Sequence, residues 1–217
     1  MNVLVACEES QRVCIAFRER GHEAYSCDIL EPSGGHPEWH IHGDVLQVIG
    51  GGTVVTMDGK PHDIGKWDLM IAHPPCTKTS NAGARHLYKS GELNMRRLYD
   101  GLCGKALFDV LLKADIPKIC VENPVPSTVF GFPKPTQIIQ PYQFGHPYTK
   151  KTCLWLKGLP ELIPTEMVEV EMPWCPSGAH SHKHNPIKRG AAGDKDRAKI
   201  RSKTFEGIAC AMAEQWG

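Results

Sequence analysis

A short apolar run, Asn2-Val3-Leu4-Val5-Ala6, passes through a polar turn into a helical stripe, and the same succession recurs along the first half of the chain. Val13, Ala16 and Phe17 make the first stripe, and Gly21 is placed to end it. Glu23 to Cys27 reads as a second strand closing on Asp28, and Trp67 to Ala72 (WDLMIA) as a third that runs into His73-Pro74-Pro75-Cys76. A long helix over about Glu92 to Ala114 is expected to turn Leu98, Leu102, Ala106 and Val110, spaced four apart, toward the interior. Lys118 to Val121 (KICV) then reads as a strand ending on Glu122-Asn123-Pro124. Strands alternating with helices dictate an α/β architecture with a parallel sheet covered on both faces, in which ligands gather at the carboxyl ends of the strands.

The pattern changes after Pro124. Gln137 to Tyr142 and Lys151 to Leu156 have no helix between them, which predicts an antiparallel hairpin at the sheet edge. A smaller hairpin, inserted before WDLMIA, is expected where Gly50-Gly51-Gly52 and Asp58-Gly59 flank Thr53 to Met57. Pro173 to Lys199 reads as loop, and a closing helix from about Ser202 to Trp216 carries the stripe Phe205, Ile208, Ala209, Met212 and Trp216. A length of 217 residues suits one domain with a substantial core. One domain over 1–217 is therefore expected, with a loop-rich basic segment at 159–200.

Charge and cysteine content narrow the function. A formal net charge of +1 gives no global field for a polyanion, so a nucleic-acid surface must be local. The nine cysteines are odd in number and form no C-x-x-C pair, which points to reduced thiols and a cytoplasmic protein. No apolar run approaches the roughly 18 residues needed to cross a bilayer, and the amino terminus reads as a strand, not a signal peptide. Cys175, His180, His182 and His184 match no structural zinc spacing, so no metal is expected.

The segment that carries most chemistry is His73 to Gly83, which puts a thiol just past a buried strand on a double-proline turn. A positioned thiol is a candidate nucleophile, active as the thiolate. Glu122 ends the next strand of a parallel sheet, so its carboxyl and Cys76 are placed to face one cleft. A nucleophile attacking C6 of a pyrimidine needs a proton or hydrogen bond at N3, which a carboxyl can supply.

Pro75-Cys76-Thr77-Lys78-Thr79-Ser80-Asn81-Ala82-Gly83 and Glu122-Asn123-Pro124 resemble, in this order, the Pro-Cys-Gln-x-x-Ser-x-Ala-Gly and Glu-Asn-Val motifs of the cytosine C5 DNA methyltransferases. The resemblance implies a Rossmann-like fold, S-adenosyl-L-methionine as cofactor and duplex DNA, its target base flipped, as substrate. It implies catalytic roles for Cys76, Glu122, Asn123 and Lys150. It places the cofactor along Ala6, Cys7, Glu8, Glu9 and Ser10, with Asp28 and Ile29 at the ribose, Asp44 and Val45 at the adenine, and His73 and Pro74 beside them. Pro75, Thr79, Ser80, Asn81 and Lys151 are the implied DNA contacts near the base, and Lys183 and Arg189 the implied phosphate contacts. Phe144-Gly145-His146-Pro147 with Lys150 and Lys151 stands where the family has Tyr-Gly-Val-Pro-Gln-x-Arg-x-Arg. Three departures stand out: the family's glycine-rich first loop is Ala6 to Gln11 here, the paired arginines are lysines, and only the segment near 159–200 fills the place of a target-recognition domain. Little sequence specificity is expected. C5 modification of RNA or of a free pyrimidine nucleotide is the alternative substrate reading, and a non-catalytic nucleic-acid-binding module the alternative class. Both a homodimer and a partner protein supplying specificity remain open, and so does an origin in a phage.

Overall fold

The computed structural model describes residues 1–84, 86–173 and 201–217. Seven strands form one central sheet: β1 (Asn2–Ala6), β2 (Glu23–Asp28), β3 (His40–His42), β4 (Leu69–Ala72), β5 (Lys118–Pro124), β6 (Gln137–Ile139) and β7 (Thr152–Lys157). Their spatial order is β3-β2-β1-β4-β5-β7-β6, with β1 to β5 parallel and β7 antiparallel to both its neighbours. This is the mostly parallel α/β sheet with an antiparallel edge hairpin that the sequence predicts. The chain leaves β1 toward β2 and β3, then returns to β4 on the other side of β1. That reversal creates a crevice at the carboxyl ends of β1 and β4.

Burial on both faces explains why the central strands are continuous apolar runs. Val3, Val5, Leu69 and Ile71 point to one side, where they meet Phe17 of helix α1 (Arg12–Glu19) and Met212 and Trp216 of a carboxyl-terminal helix. Leu4, Met70, Ile119 and Val121 point to the other, against Phe108 and Leu111 of helix α2 (Met95–Leu112) and against Trp155. The carboxyl-terminal helix, α3 (Glu206–Trp216), begins later than Ser202, and its predicted stripe is buried throughout. The inserted hairpin is present as Thr53–Val55 paired with Pro61–Asp63.

α2 departs from expectation in start and in face. A small pairing of Tyr88–Lys89 with Glu92–Leu93 takes the chain up to Asn94, whose side chain caps the helix by accepting from the Arg97 amide. Leu102 and Val110 are about half exposed, while Gly101, Phe108 and Leu111 are buried. A spacing of exactly four advances about 40° around the helix at each step, so the predicted stripe winds off the contact face. The real face follows the three-and-four alternation of residues 101, 104, 108 and 111. Two of these are glycines, invisible to a hydrophobic pattern, and a Cβ at Gly101 would collide with the Phe130 ring. No helix among the described residues is long and apolar enough to cross a membrane.

Candidate active site

Ala6 and Ala72 end β1 and β4, and Val121 stands level with them as the last residue of β5 to pair with β4. The next residues outward, Cys7, His73 and Glu122, therefore form a row across the crevice, with the His73 amide donating to the Ala6 carbonyl at 2.9 Å. The double proline after His73 gives up two backbone donors and stiffens the exit from β4. Cys76 then opens a turn, its carbonyl accepting from the amides of Thr79 (3.2 Å) and Ser80 (2.9 Å). The loop is stitched to the segment after β5: Asn81 donates to the Val125 carbonyl at 3.1 Å and Ser127 to that of Thr79 at 2.8 Å. From α2, the Arg97 guanidinium donates to the carbonyls of Gly83 (2.8 and 3.2 Å) and Thr77 (3.2 Å). Gly83 sits so close that a Cβ would collide with the Thr77 carbonyl.

Glu122 and His73 form a buried pair, Oε2 lying 2.9 Å from Nδ1. Burial pushes the Glu122 carboxyl up, but the hydrogen bond and charge of His73, aided by Lys150, outweigh it and hold the group below its usual range. Burial likewise pushes the His73 imidazole down, and Glu122, with help from Glu8, more than reverses this. The two shifts together favour the charged pair, an imidazolium and a carboxylate. The Cys76 thiol is raised by burial first and by the Glu122 charge second, with Lys150 and Arg201 offsetting part of the rise. The resting sulfur keeps its proton. Two buried polar atoms here, His73 Nε2 and Asn123 Oδ1, have no hydrogen-bond partner among the described residues.

The other half of the crevice is acidic. Glu8 is almost fully buried, and its carboxylate accepts from the α1 amides of Val13 (2.7 Å) and Cys14 (3.2 Å). A side chain of this protein thereby fills the helix N-terminus, the place where comparable folds receive a phosphate. Cys7 and Gln11 take the positive φ usual for glycine, 58° each, and the Gln11 amide holds the loop by bonding both backbone groups of His36. The first loop is thus shaped by side-chain bonds instead of glycines. Burial, then the charges of Asp28 and Asp44, push the Cys7 thiol up to about 12, so both carboxylates lie close to it. Each spends Oδ1 on a turn amide, Asp28 on Leu30 (2.9 Å) and Asp44 on Leu46 (3.0 Å). Ile29 beside them is 71% exposed, whereas Val45 is buried.

The strand ends thus bring together Cys76, Glu122, Asn123, His73 and Pro74 with Lys150 nearby, and separately Ala6 to Ser10 with Asp28 and Asp44. Lys150 also reaches the Arg201 carbonyl at 3.2 Å, and Lys151 is exposed. Pro75 and Asn81 are exposed, whereas the Thr79 hydroxyl is buried and turned to the Cys76 carbonyl. Lys183 and Arg189 lie outside the described residues, as do Cys175, His180, His182 and His184. The described part of the expected basic segment, 159–173, carries Glu161, Glu166, Glu169 and Glu171, and Leu162 is bonded to Gln137 of β6 through both backbone groups. Sequence reasoning missed the Arg97 clamp, for which an arginine on a polar helix face gives no signal, and the Glu8 cap. It also missed the His73 bond to Glu122, although a histidine at the end of an apolar strand was a visible cue.

No family model and no curated protein matches the chain. Among solved structures it resembles a crystal structure described provisionally as a DNA modification methyltransferase encoded within an E. coli prophage, with TM-score 0.44 and 12% identity, over 78% of this chain and 52% of that one. The chain spans about half the length of that structure. At this identity and TM-score the likeness speaks to neither reaction nor substrate.

Proposed function

We propose that the protein is a cytosine C5 methyltransferase that uses S-adenosyl-L-methionine and acts on DNA, with Cys76 as nucleophile and Glu122 at N3. The observation that carries this reading is the placement of Cys76 on the loop that leaves β4 and of Glu122 on the adjacent parallel strand β5, one residue past its last pairing with β4, the two segments joined by the Asn81 and Ser127 bonds beside the point where the sheet reverses order. Backbone bonds between the two segments hold the reactive groups in a fixed relative placement, which addition to a ring and proton delivery to the same ring require.

The acidic half of the crevice fits the cofactor. Glu8 occupies the α1 amides, so a pyrophosphate finds neither free donors nor a positive potential there. Asp28 and Asp44 offer carboxylate oxygens to ribose hydroxyls and a base, Ile29 offers an apolar surface, and the negative potential favours a cation. A nucleoside without phosphates and with a positive centre is the ligand this set accepts. S-adenosyl-L-methionine, when bound, supplies the methyl group as an electrophile.

On the chain's side, a flipped cytosine enters over the Cys76 loop. Cys76 Sγ bonds to C6 while N3 gains a proton through Glu122, and the electron pair released toward C5 makes that carbon the acceptor of the methyl group. Loss of the C5 proton to water, return of the N3 proton to Glu122 and breaking of the S–C6 bond, with Cys76 leaving as the thiolate, restore the ring. Lys150 offsets the negative charge gathered around Cys76 and Glu122 and, with Lys151, is placed to meet phosphate.

The test is to incubate the protein with S-adenosyl-L-methionine and duplex DNA, tRNA or dCMP, and to analyse the digested products by nucleoside mass spectrometry. We expect 5-methylcytosine in the DNA arm and none with Cys76→Ala, a loss of at least about a thousandfold for a covalent nucleophile. Product only in the tRNA or dCMP arm would move the substrate, and a fully active Cys76→Ala would sink the mechanism.

A further inference from the structure

Three groups stand just past the last paired residues of the neighbouring strands β5, β4 and β1, where Val121, Ala72 and Ala6 lie level: Glu122, His73 and, one residue further out, Glu8. The imidazole between the two carboxylates is bound to only one of them, Glu122 Oε2, at 2.9 Å. Glu8 spends its oxygens on α1 and acts on His73 by charge alone. The Nδ1 bond therefore fixes one carboxylate oxygen of Glu122 and leaves Oε1 for the base. A carboxylate in this position has no proton of its own to give, while the thiol beside it retains one.

We propose, resting on the methyltransferase reading, that His73 is the positioning residue that holds Glu122 as a carboxylate by Oε2, so that the proton reaching N3 of the cytosine is the one given up by Cys76. The atoms balance. The S–H bond breaks as the S–C6 bond forms, the proton passes by way of Glu122 Oε1 to N3, and the C5–C6 π pair moves into the ring. Glu122 ends the step as the carboxylate it began as, and His73 remains an imidazolium throughout. Charged groups acting on this pair from the surrounding elements are Glu8 from the first loop and Lys150 from the segment before β7.

Cys76 itself reports the arrangement without cofactor or substrate. The test follows iodoacetamide alkylation of the Cys76 peptide by mass spectrometry across pH, in the wild type, His73→Asn and Glu122→Gln. Asparagine keeps a donor near the Nδ1 position but carries no charge, so Glu122 takes up a proton near neutral pH and gives it up again in the alkaline range where the thiol titrates. Glu122→Gln is expected to alkylate with a midpoint about one pH unit lower than the wild type and His73→Asn with a midpoint no lower than the wild type; both lose methyl transfer at neutral pH, His73→Asn recovering part of it as pH rises. An unchanged midpoint in folded Glu122→Gln, or a folded His73→Asn whose methyl transfer does not recover as pH rises, overturns the proposal. Should that variant not fold, the nitrogen NMR shifts of wild-type His73 decide, since both ring nitrogens must be protonated at pH 7 and a neutral ring overturns it. Wild-type protein that shows the expected alkylation and imidazole signals yet yields no 5-methylcytosine would sink the methyltransferase reading and leave the His73–Glu122 assignment standing.

Discussion

Burial alone would push the Glu122 carboxyl up and the His73 imidazole down; their mutual hydrogen bond and charge reverse both. This gives the stability of the fold a defined pH signature. Because the His73 pKa is raised, its contribution is complete below the ordinary histidine value of about 6.5 and fades as pH rises through the folded-state value. Because the Glu122 pKa is lowered, its contribution is complete above about 4.3 and fades as pH falls through the depressed value. The pair therefore stabilises most between roughly pH 4.3 and 6.5. His73→Leu, which takes from Glu122 its charged partner, is expected to cost about 3–5 kcal/mol in that window. The cost should shrink on the acid side, where Glu122 protonates, as urea denaturation at several pH values would show. A cost independent of pH would mean that shape, not charge, is what His73 contributes.

Elements, more than single side chains, aim the thiol. The loop from Cys76 to Gly83 lies between the segment after β5 and the first turns of α2, held by the Asn81 and Ser127 amides on one side and by Arg97 on the other. Gly83→Ala forces the loop away from the Thr77 carbonyl, and Arg97→Ala releases it from the helix. If the protein works as proposed, each change is expected to lower methyl transfer by about a hundredfold, as a misplacement near 1 Å does, while the unfolding midpoint moves only a little. Equal losses in stability and activity would instead make the loop an ordinary packing element. α2 also shows why a pattern of apolar residues was insufficient. Its contact face is built on Gly101 and Gly104, where closeness replaces side-chain area, and the exposed Leu102 and Val110 supplied the misleading stripe.

At the scale of the molecule, one sheet serves two cores, with Trp216 buried on one face and Trp67 and Trp155 on the other. Strands β1 and β4 contribute alternate residues to both, so neither core can melt while the other keeps its sheet. Urea transitions followed by tryptophan fluorescence and by far-ultraviolet circular dichroism should coincide, and Met212→Ala should shift both together, by about 2–5 kcal/mol. Separate transitions would show two independent units. The strands, their order of chemistry, the end of β2 on Asp28 and the loop that carries Cys76 away from β4 were legible because apolar runs bounded by polar turns are local features, set by neighbours in the chain; the continuation of β5 through Glu122 to Pro124 was not, since it depends on pairing with β7. The edge hairpin of β6 and β7 was legible from the absence of a helix between them. The pairings were not legible: His73 with Glu122 lies 49 residues away in sequence and Arg97 with Thr77 lies 20. The Glu8 cap was hidden for a different reason, since a charged turn looks the same in sequence whether its carboxylate faces solvent or a helix end. Such partners are fixed only when the sheet has ordered its strands and the helices have docked, because an ion pair or a clamp depends on distance in space, and that distance is decided by the tertiary packing of apolar faces that carry none of the chemistry.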